Sequence, residues 1–326
     1  MGKIKGVVLA SEESWNDELS TDGRQICDRF LAEASRVILN KKNELRLALI
    51  CFLAEGHLLI EDIPGVGKTT FVKTVGQLLG LHFGRIQFTS DLLPSDILGT
   101  SIYDPEAKKF RFHKGPIFAE LVLIDELNRA TPKTQSALLQ AMEEKQVTVD
   151  SQTIALPDPF FLVATQNPRF QVGTFSLPES QLDRFMMRIQ LGYPGVEAEK
   201  ALLLGDKSRD RLNALKPFMS PEQLRLLREE AAKIHLSEEI ARYVQQILEN
   251  SRKNQKDIIG LSPRAGLSLV AAAKVAAFLE GRQAVFPEDV QAVALAVINH
   301  RLSHVDNTFQ NSASLTSDLV NSVEID

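Results

Sequence analysis

The sequence predicts an α/β protein, a parallel sheet sandwiched by helices with hairpin inserts, followed by a separate all-helical module. Three observations carry this. His57-Leu-Leu-Ile-Glu-Asp-Ile-Pro-Gly-Val-Gly-Lys-Thr-Thr70 reads as a strand end, a glycine turn and the opening of a helix. Residues 121–124 (LVLI) and 160–165 (FFLVAT) are continuous apolar runs, as in parallel strands buried on both faces. After Tyr193-Pro194-Gly195 no such run recurs, and capped helical patterns take over. The expected division is an arm over 1–22, an α/β domain over 23–195, a helical module over 196–306 and a polar, disordered tail over 307–326.

In chain order, apolar residues at helical spacing predict a helix over 25–35 and another over 43–53, with Val37-Ile38-Leu39 between them. Beyond the glycine turn a helix continues over 71–79, and residues 85–89 read as a short strand. Residues 90–96 are turn-rich, and Ser95 or Asp96 is suited to cap a short helix. Within 99–115, Phe110 and Phe112 alternate with Lys109, Arg111 and His113 after an Asp104-Pro105 turn, the mark of a hairpin. Its basic, aromatic face suits a polymer in a pore, and equally a solvated hairpin with one packed side. Thr131-Pro132 opens a helix reaching Glu144. A second hairpin over 147–156 turns near Asp150-Ser151. A short helix over 177–185 then leads to a strand through Met187, Ile189 and Leu191. Ser220-Pro-Glu-Gln223 is a capping box, and Ser237, Ser262-Pro263 and Pro287 start three more helices.

A chain of 326 residues suits two domains. The net charge of −5 argues against nucleic acid as the default partner. Cys27 and Cys51 show no metal or disulfide spacing, so a reducing, cytoplasmic setting is expected. No apolar run has the length of a membrane span, and Gly6 stands where an N-myristoylation signal needs Ser or Thr. His300 and His304 lie four apart on one helical pattern, but no HExxH glutamate separates them, so they are expected at the surface.

The glycine turn carries the first chemistry. Pro64, Gly65, Val66 and Gly67 form a loop whose backbone N–H groups can face one anion, and the following helix adds unpaired amides and its positive dipole end. Lys68 is placed to reach β- and γ-phosphates. The Thr69 hydroxyl is placed for Mg²⁺, with Thr70 next in the opening turn. Asp62 stands where the usual G-x-x-x-x-G-K-[ST] pattern has its first glycine. Asp125-Glu126 follows the buried run at 121–124, and carboxyl ends of parallel strands are where such sheets bind ligands. There Asp125 would orient Mg²⁺ and its waters, and Glu126 would polarise the attacking water. Asn167, after the run at 160–165, could position that water or sense the γ-phosphate. Arg264 lies in the first turn of a helix, where the dipole disfavours a cation. An anion such as a nucleotide phosphate, a neighbouring carboxylate or plain exposure would resolve that conflict. Together these residues predict a nucleoside-triphosphate site.

The chain resembles the MoxR family of AAA+ ATPases across roughly residues 30–305. The likeness rests on the 57–69 loop, Gly115-Pro-Ile-Phe118, Leu123-Ile-Asp-Glu-Leu-Asn-Arg-Ala130 and residues 135–143. Ala164-Thr-Gln-Asn-Pro168, Leu177-Pro-Glu-Ser-Gln-Leu-Asp-Arg-Phe185 and Ser262-Pro-Arg-Ala265 complete it. It implies an AAA+ P-loop NTPase core with a helical lid, binding ATP and Mg²⁺. By resemblance Val37 and Ile38 pack on adenine, Lys68 and Thr69 belong to Walker A, and Asp125 and Glu126 to Walker B. Asn167 resembles sensor 1 and Arg264 sensor 2. Arg184 resembles the arginine finger acting on a neighbouring subunit's nucleotide, with Arg129 and Arg188 as rivals. The hairpins at 99–115 and 147–156 resemble the helix-2 and pre-sensor-1 inserts facing a central pore. The implied assembly is a homo-oligomeric ring, expected to be a hexamer. The implied activity is chaperone-like remodelling or activation of a client, commonly one with a von Willebrand factor A domain. Two other readings fit less of the sequence: a nucleic-acid-directed motor gripping a backbone with residues 108–114, and a slow nucleotide-switched scaffold.

Overall fold

The computed structural model describes residues 23–150, 152–167, 175, 177–205, 208–253, 258–304 and 312–323. Two amphipathic helices, α1 (Gly23–Val37) and α2 (Lys42–Leu53), precede strand β1 (Leu58–Glu61). Helix α3 (Lys68–Leu78), strand β2 (Phe83–Gln87) and the short α4 (Pro94–Leu98) follow. Strands β3 (Gly99–Asp104) and β4 (Lys109–Lys114) form the first hairpin. Then come β5 (Leu121–Asp125), α5 (Pro132–Glu144), a second hairpin of β6 (Gln146–Val149) and β7 (Gln152–Ala155), β8 (Phe161–Gln166), α6 (Glu179–Leu182) and β9 (Met187–Ile189).

The main sheet has the order β2-β5-β8-β1-β9, and every pairing in it is parallel. All residues of β5 and β8 are buried, which explains their unbroken apolar runs. Alternation along the strands sends Leu58, Ile60, Leu121, Leu123, Phe161 and Val163 to one face, where α1, α2 and α3 pack. Leu59, Val122, Ile124, Leu162 and Ala164 face the other way, onto α5 and the Ile117 segment.

The C-terminal part is helical: α7 (Val196–Leu203), α8 (Ser208–Ala214), α9 (Pro221–Ala232), α10 (Glu238–Lys253), α11 (Pro263–Leu279) and α12 (Pro287–Ile298). Strands β10 (Ile258–Ile259) and β11 (Ser303–His304) form a small ladder between its helices and α13 (Ser312–Asn321). Ser220 and Gln223 cap α9 reciprocally, and Ser262 caps α11 through the Ala265 amide. This helical part shares its core with one face of the sheet, since Leu224, Leu269 and Val290 belong to the same apolar layer as Leu58 and Phe161.

Three expectations need correction. Helix α4 starts from Leu93, whose amide donates to Asp96 at 2.9 Å, so Asp96 closes the cap from inside the helix and neither it nor Ser95 is the N-cap. The tail is not disordered throughout: α13 buries Thr316 and Val320, and Val323 beyond it is buried too. His300 is 2% exposed, because the end of α12 packs against the start of β9 and its Nε2 donates to the Phe185 carbonyl at 2.9 Å. The expected arm at 1–22 lies outside the described residues, as does the side chain of His304.

The first hairpin leaves its tip bare. Phe110 is 71% exposed and stacks edge-on against the half-exposed Tyr103, whereas Phe112 turns back onto Phe118. Gly99 (φ 104°) anchors the base, because a Cβ there would run into the His113 carbonyl.

His57, just before β1, gives the fold a pH dependence. Its buried ring accepts the Leu162 amide at Nδ1 (3.0 Å), and burial lowers its pKa from 6.5 to about 4. As pH falls through 6.5 the unfolded chain takes up this proton, while the folded chain resists until about 4. Stability present above 6.5 is therefore lost by about 3 kcal/mol on reaching pH 4. Urea unfolding from pH 7 to pH 4 should show the decline, and His57→Gln should flatten it; an unchanged slope would refute the assignment.

Candidate active site

The parallel sheet gathers the carboxyl ends of β1, β5 and β8 on one edge, and the predicted residues meet there. Gly65 and Gly67 have φ of 87° and 90°, which an L side chain resists. Gly67 is the N-cap of α3 without any side-chain cap, so the amides of the first turn remain available to an anion. Pro64, Gly65 and Gly67 are exposed, Val66 packs its side chain on the core, and Lys68, Thr69 and Thr70 are half-buried. Lys68 Nζ donates to the Asp62 carbonyl (2.6 Å) and to Asn167 Oδ1 (3.1 Å). Its burial lowers the amine pKa, against the attraction of Asp62, Asp125, Glu126 and Glu61.

Asn167 joins this lysine to the carboxylate edge, since its Nδ2 donates to Glu126 Oε1 at 3.0 Å. Glu126 is left-handed, with φ 59° and ψ 50°. For a non-glycine residue that conformation costs about 1 kcal/mol or more, and here it breaks the chain out of β5 straight after Asp125. Thr165 supports the turn by accepting the Glu126 amide (3.1 Å) and donating to Asp125 (3.4 Å). Arg85 holds the second Asp125 oxygen at 2.6 Å. Gln87 (3.2 Å) and Arg129 (2.8 Å) hold the second oxygen of Glu126. Sequence reasoning missed Thr165, Arg85 and Gln87. Their signal was weak: a polar residue ending an apolar run, and polar alternation on the strand paired beside β5.

Thr69 and Asp125 offer a hydroxyl and a carboxylate, the hard oxygen donors that suit Mg²⁺. Among the described residues no group of three His, Cys, Asp or Glu could hold a metal, so a cation here would complete its shell with phosphate and water oxygens. Val37 is 3% exposed within the core and Ile38 is partly buried, so of the two only Ile38 presents surface to a base. Asp62 is buried, and its carboxylate accepts the amides of Ile63 (2.8 Å) and Gly192.

The arginines separate by place. Arg188 is buried against Glu61 at 2.6 Å, whereas Arg129 pairs with its own subunit's Glu126 and stays about half exposed. Arg184 donates to Glu143 (2.9 Å) and to the Leu139 carbonyl (2.8 Å). Arg264 binds the other oxygen of Glu143. This cluster lies at the opposite end of the sheet from the phosphate loop. Arg184 precedes β9, whose first residue pairs with Leu58 at the amino end of β1. Helix α5, 13 residues long, leaves the carboxyl edge and reaches Glu143 about 18 Å along its axis. Lys145, just beyond, binds Glu55 ahead of β1. The anion in the first turn of α11 is a carboxylate of the same chain, one of the three ways in which the conflict at Arg264 could be resolved. A buried network fixes the region: Arg301 donates to Asp183 (2.8 Å) and the Phe185 carbonyl (2.8 Å), while Ser262 donates to Asp183 at 2.9 Å.

Comparisons with known proteins identify the family of the chain. Residues 57–187 match the model of the ATPase family associated with various cellular activities (AAA), and residues 250–322 match an AAA lid domain. The chain is 40% identical to the YeaC protein of Bacillus subtilis over 93% of this chain and 96% of that one. It is 38% identical to Chaperone MoxR1 of Mycobacterium tuberculosis, over 84% and 75% respectively. A solved structure from Cytophaga hutchinsonii, described as an ATPase, superposes with a TM-score of 0.84 at 35% identity, covering 97% of this chain and 99% of that one. With an AAA core, a helical lid and these relatives, the chain belongs to the MoxR family of AAA+ ATPases.

Proposed function

We propose that this protein hydrolyses ATP in a ring of identical subunits, expected to be a hexamer, and uses the cycle to remodel a partner protein. The observation that carries the reading is the hydrogen-bonded line Lys68–Asn167–Glu126 along the carboxyl edge of the sheet. The glycine-loop amides and Lys68 bind the triphosphate. Thr69 and Asp125 hold Mg²⁺, which when bound neutralises phosphate charge. Glu126 takes the proton of the attacking water, and Asn167 keeps that carboxylate beside the γ-phosphate. Arg184 and Arg264, too far from their own loop, act on the nucleotide of the next subunit. Such an arginine supplies charge as the phosphoryl group leaves.

The remodelling half draws on two supports. One relative is named a chaperone. The bare tip of the first hairpin, with Tyr103, Phe110, Lys109 and Arg111, suits a polypeptide drawn through a pore. A client with a von Willebrand factor A domain fits the family pattern, as does work in the cytoplasm; among the described residues no helix is long and apolar enough to cross a membrane.

Glu126→Gln should bind ATP as the natural chain does while turnover falls about 10²- to 10⁴-fold. Filter binding and phosphate release would measure both, and undiminished release would remove Glu126 from the role. Mixing Arg184→Ala subunits with Glu126→Gln subunits should restore part of the lost activity, because some interfaces then join an intact Glu126 to an intact Arg184. No recovery at any ratio would count against action in trans. For the client, Glu126→Gln protein loaded with ATP should retain an A-domain protein from lysate that Lys68→Ala protein does not.

A further inference from the structure

Glu143 gives one oxygen to each of two guanidiniums that arise far apart in the chain, Arg184 from the α/β core and Arg264 from the helical lid. Neither charge is placed for the good of its own helix. Glu143 sits in the last turn of α5, where the dipole opposes a carboxylate, and Arg264 sits in the first turn of α11, where it opposes a cation. All three side chains keep partial exposure, 38% for Glu143, 28% for Arg184 and 44% for Arg264, so an incoming anion can reach them. Beneath them Arg301, 3% exposed, ties Asp183 and the Phe185 carbonyl, and Ser262 ties the start of α11 to the same Asp183. That buried network fixes both arginines by their backbones, independently of Glu143.

We propose that Glu143 is an internal stand-in for the neighbouring subunit's γ-phosphate, capping Arg184 and Arg264 until a triphosphate displaces it. The inference rests on the trans reading of Arg184 above and adds the residue that regulates it. With Glu143 in place, two cations share one anion; when it swings away, two arginines whose backbones the buried network fixes face outward together. A terminal phosphate offers more oxygens and more charge than a carboxylate, and arginines bind it in bidentate fashion. Ion pairs this exposed are individually weak, so the exchange is easily made. A neighbour holding a diphosphate presents no γ-phosphate, and Glu143 then closes on the arginines again. The subunit contact is thereby made to depend on the nucleotide state of the neighbour.

The test is Glu143→Gln in the full chain, with ATP turnover per subunit followed against protein concentration. Removing one weak competing anion should lower the concentration for half-maximal turnover about threefold to tenfold. Sedimentation in ATP should show assembly shifted to lower protein concentration in the same way, and in ADP, with no γ-phosphate to bind, no shift. In an Arg184→Ala, Arg264→Ala background the substitution should leave sedimentation unchanged, since nothing is left to uncap. An unchanged or raised midpoint, or loss of turnover at saturating protein with an unaltered melting temperature, would overturn the proposal. If Glu143→Gln melts early, Glu143→Asp, too short to hold both arginines, should give a smaller shift in the same direction, and no shift would again overturn it. Should Arg184→Ala alone keep full turnover, the trans reading itself fails; should it lose turnover while Glu143→Gln shifts nothing, only the capping role fails.

Discussion

The parallel pairing of β1 with β8 on one side and β9 on the other is the constraint on which everything else depends. Because all five strands run the same way, their carboxyl ends collect Lys68, Asp125, Glu126 and Asn167 from three separate stretches of chain. The same polarity forces Arg184 to the other end, since it must precede β9 rather than follow it. One subunit thus carries Lys68, Asn167 and Glu126 at one end of the sheet and Arg184 and Arg264 at the other, kept apart by its own geometry. On the proposed function, a closed ring is the arrangement in which the two sets meet between subunits.

The site is held by interactions that cost the fold something. Glu126 occupies a left-handed conformation, and Lys68 is half-buried with its charge disfavoured by desolvation. Neither is left alone. Thr165, Gln87, Arg129 and Asn167 surround the turn and its carboxylate, and three further carboxylates draw on the lysine. Such density of partners on a strained residue is expected where a group must hold one position during chemistry.

Much of this was legible in the sequence for a physical reason. A strand buried on both faces must be apolar throughout, so Leu121–Asp125 announces itself, and once it is placed the carboxylates at its end are placed too. Glycines at positive φ and prolines at first helical positions are local signals of the same kind. What the sequence hid was lateral. Arg85 matters because β2 lies beside β5, which no local pattern states. His300 was placed at the surface because no metal motif claimed it, which says nothing of packing, and Val37, paired with Ile38 by resemblance alone, proves to be core. The conflict at Arg264 was visible, yet its resolution by Glu143 lies 121 residues away and needed the folded chain.

Asp62 carries the argument one step further. At this position the familiar loop has glycine, but the backbone of Asp62 does not lie at positive φ, so glycine's freedom is unneeded. The side chain is used instead: one oxygen accepts the next amide of the phosphate loop, and the other accepts the amide of Gly192, itself at φ 63° where β9 gives way to the helical lid. The Asp62 carbonyl meanwhile holds Lys68, and its amide donates to Gln166 at the end of β8. A buried carboxylate stripped of a donor is costly, so loop and linker cannot separate freely. The residue that departs from the usual pattern is therefore the one through which the glycine loop, the end of β8 and the segment entering the helical part are joined.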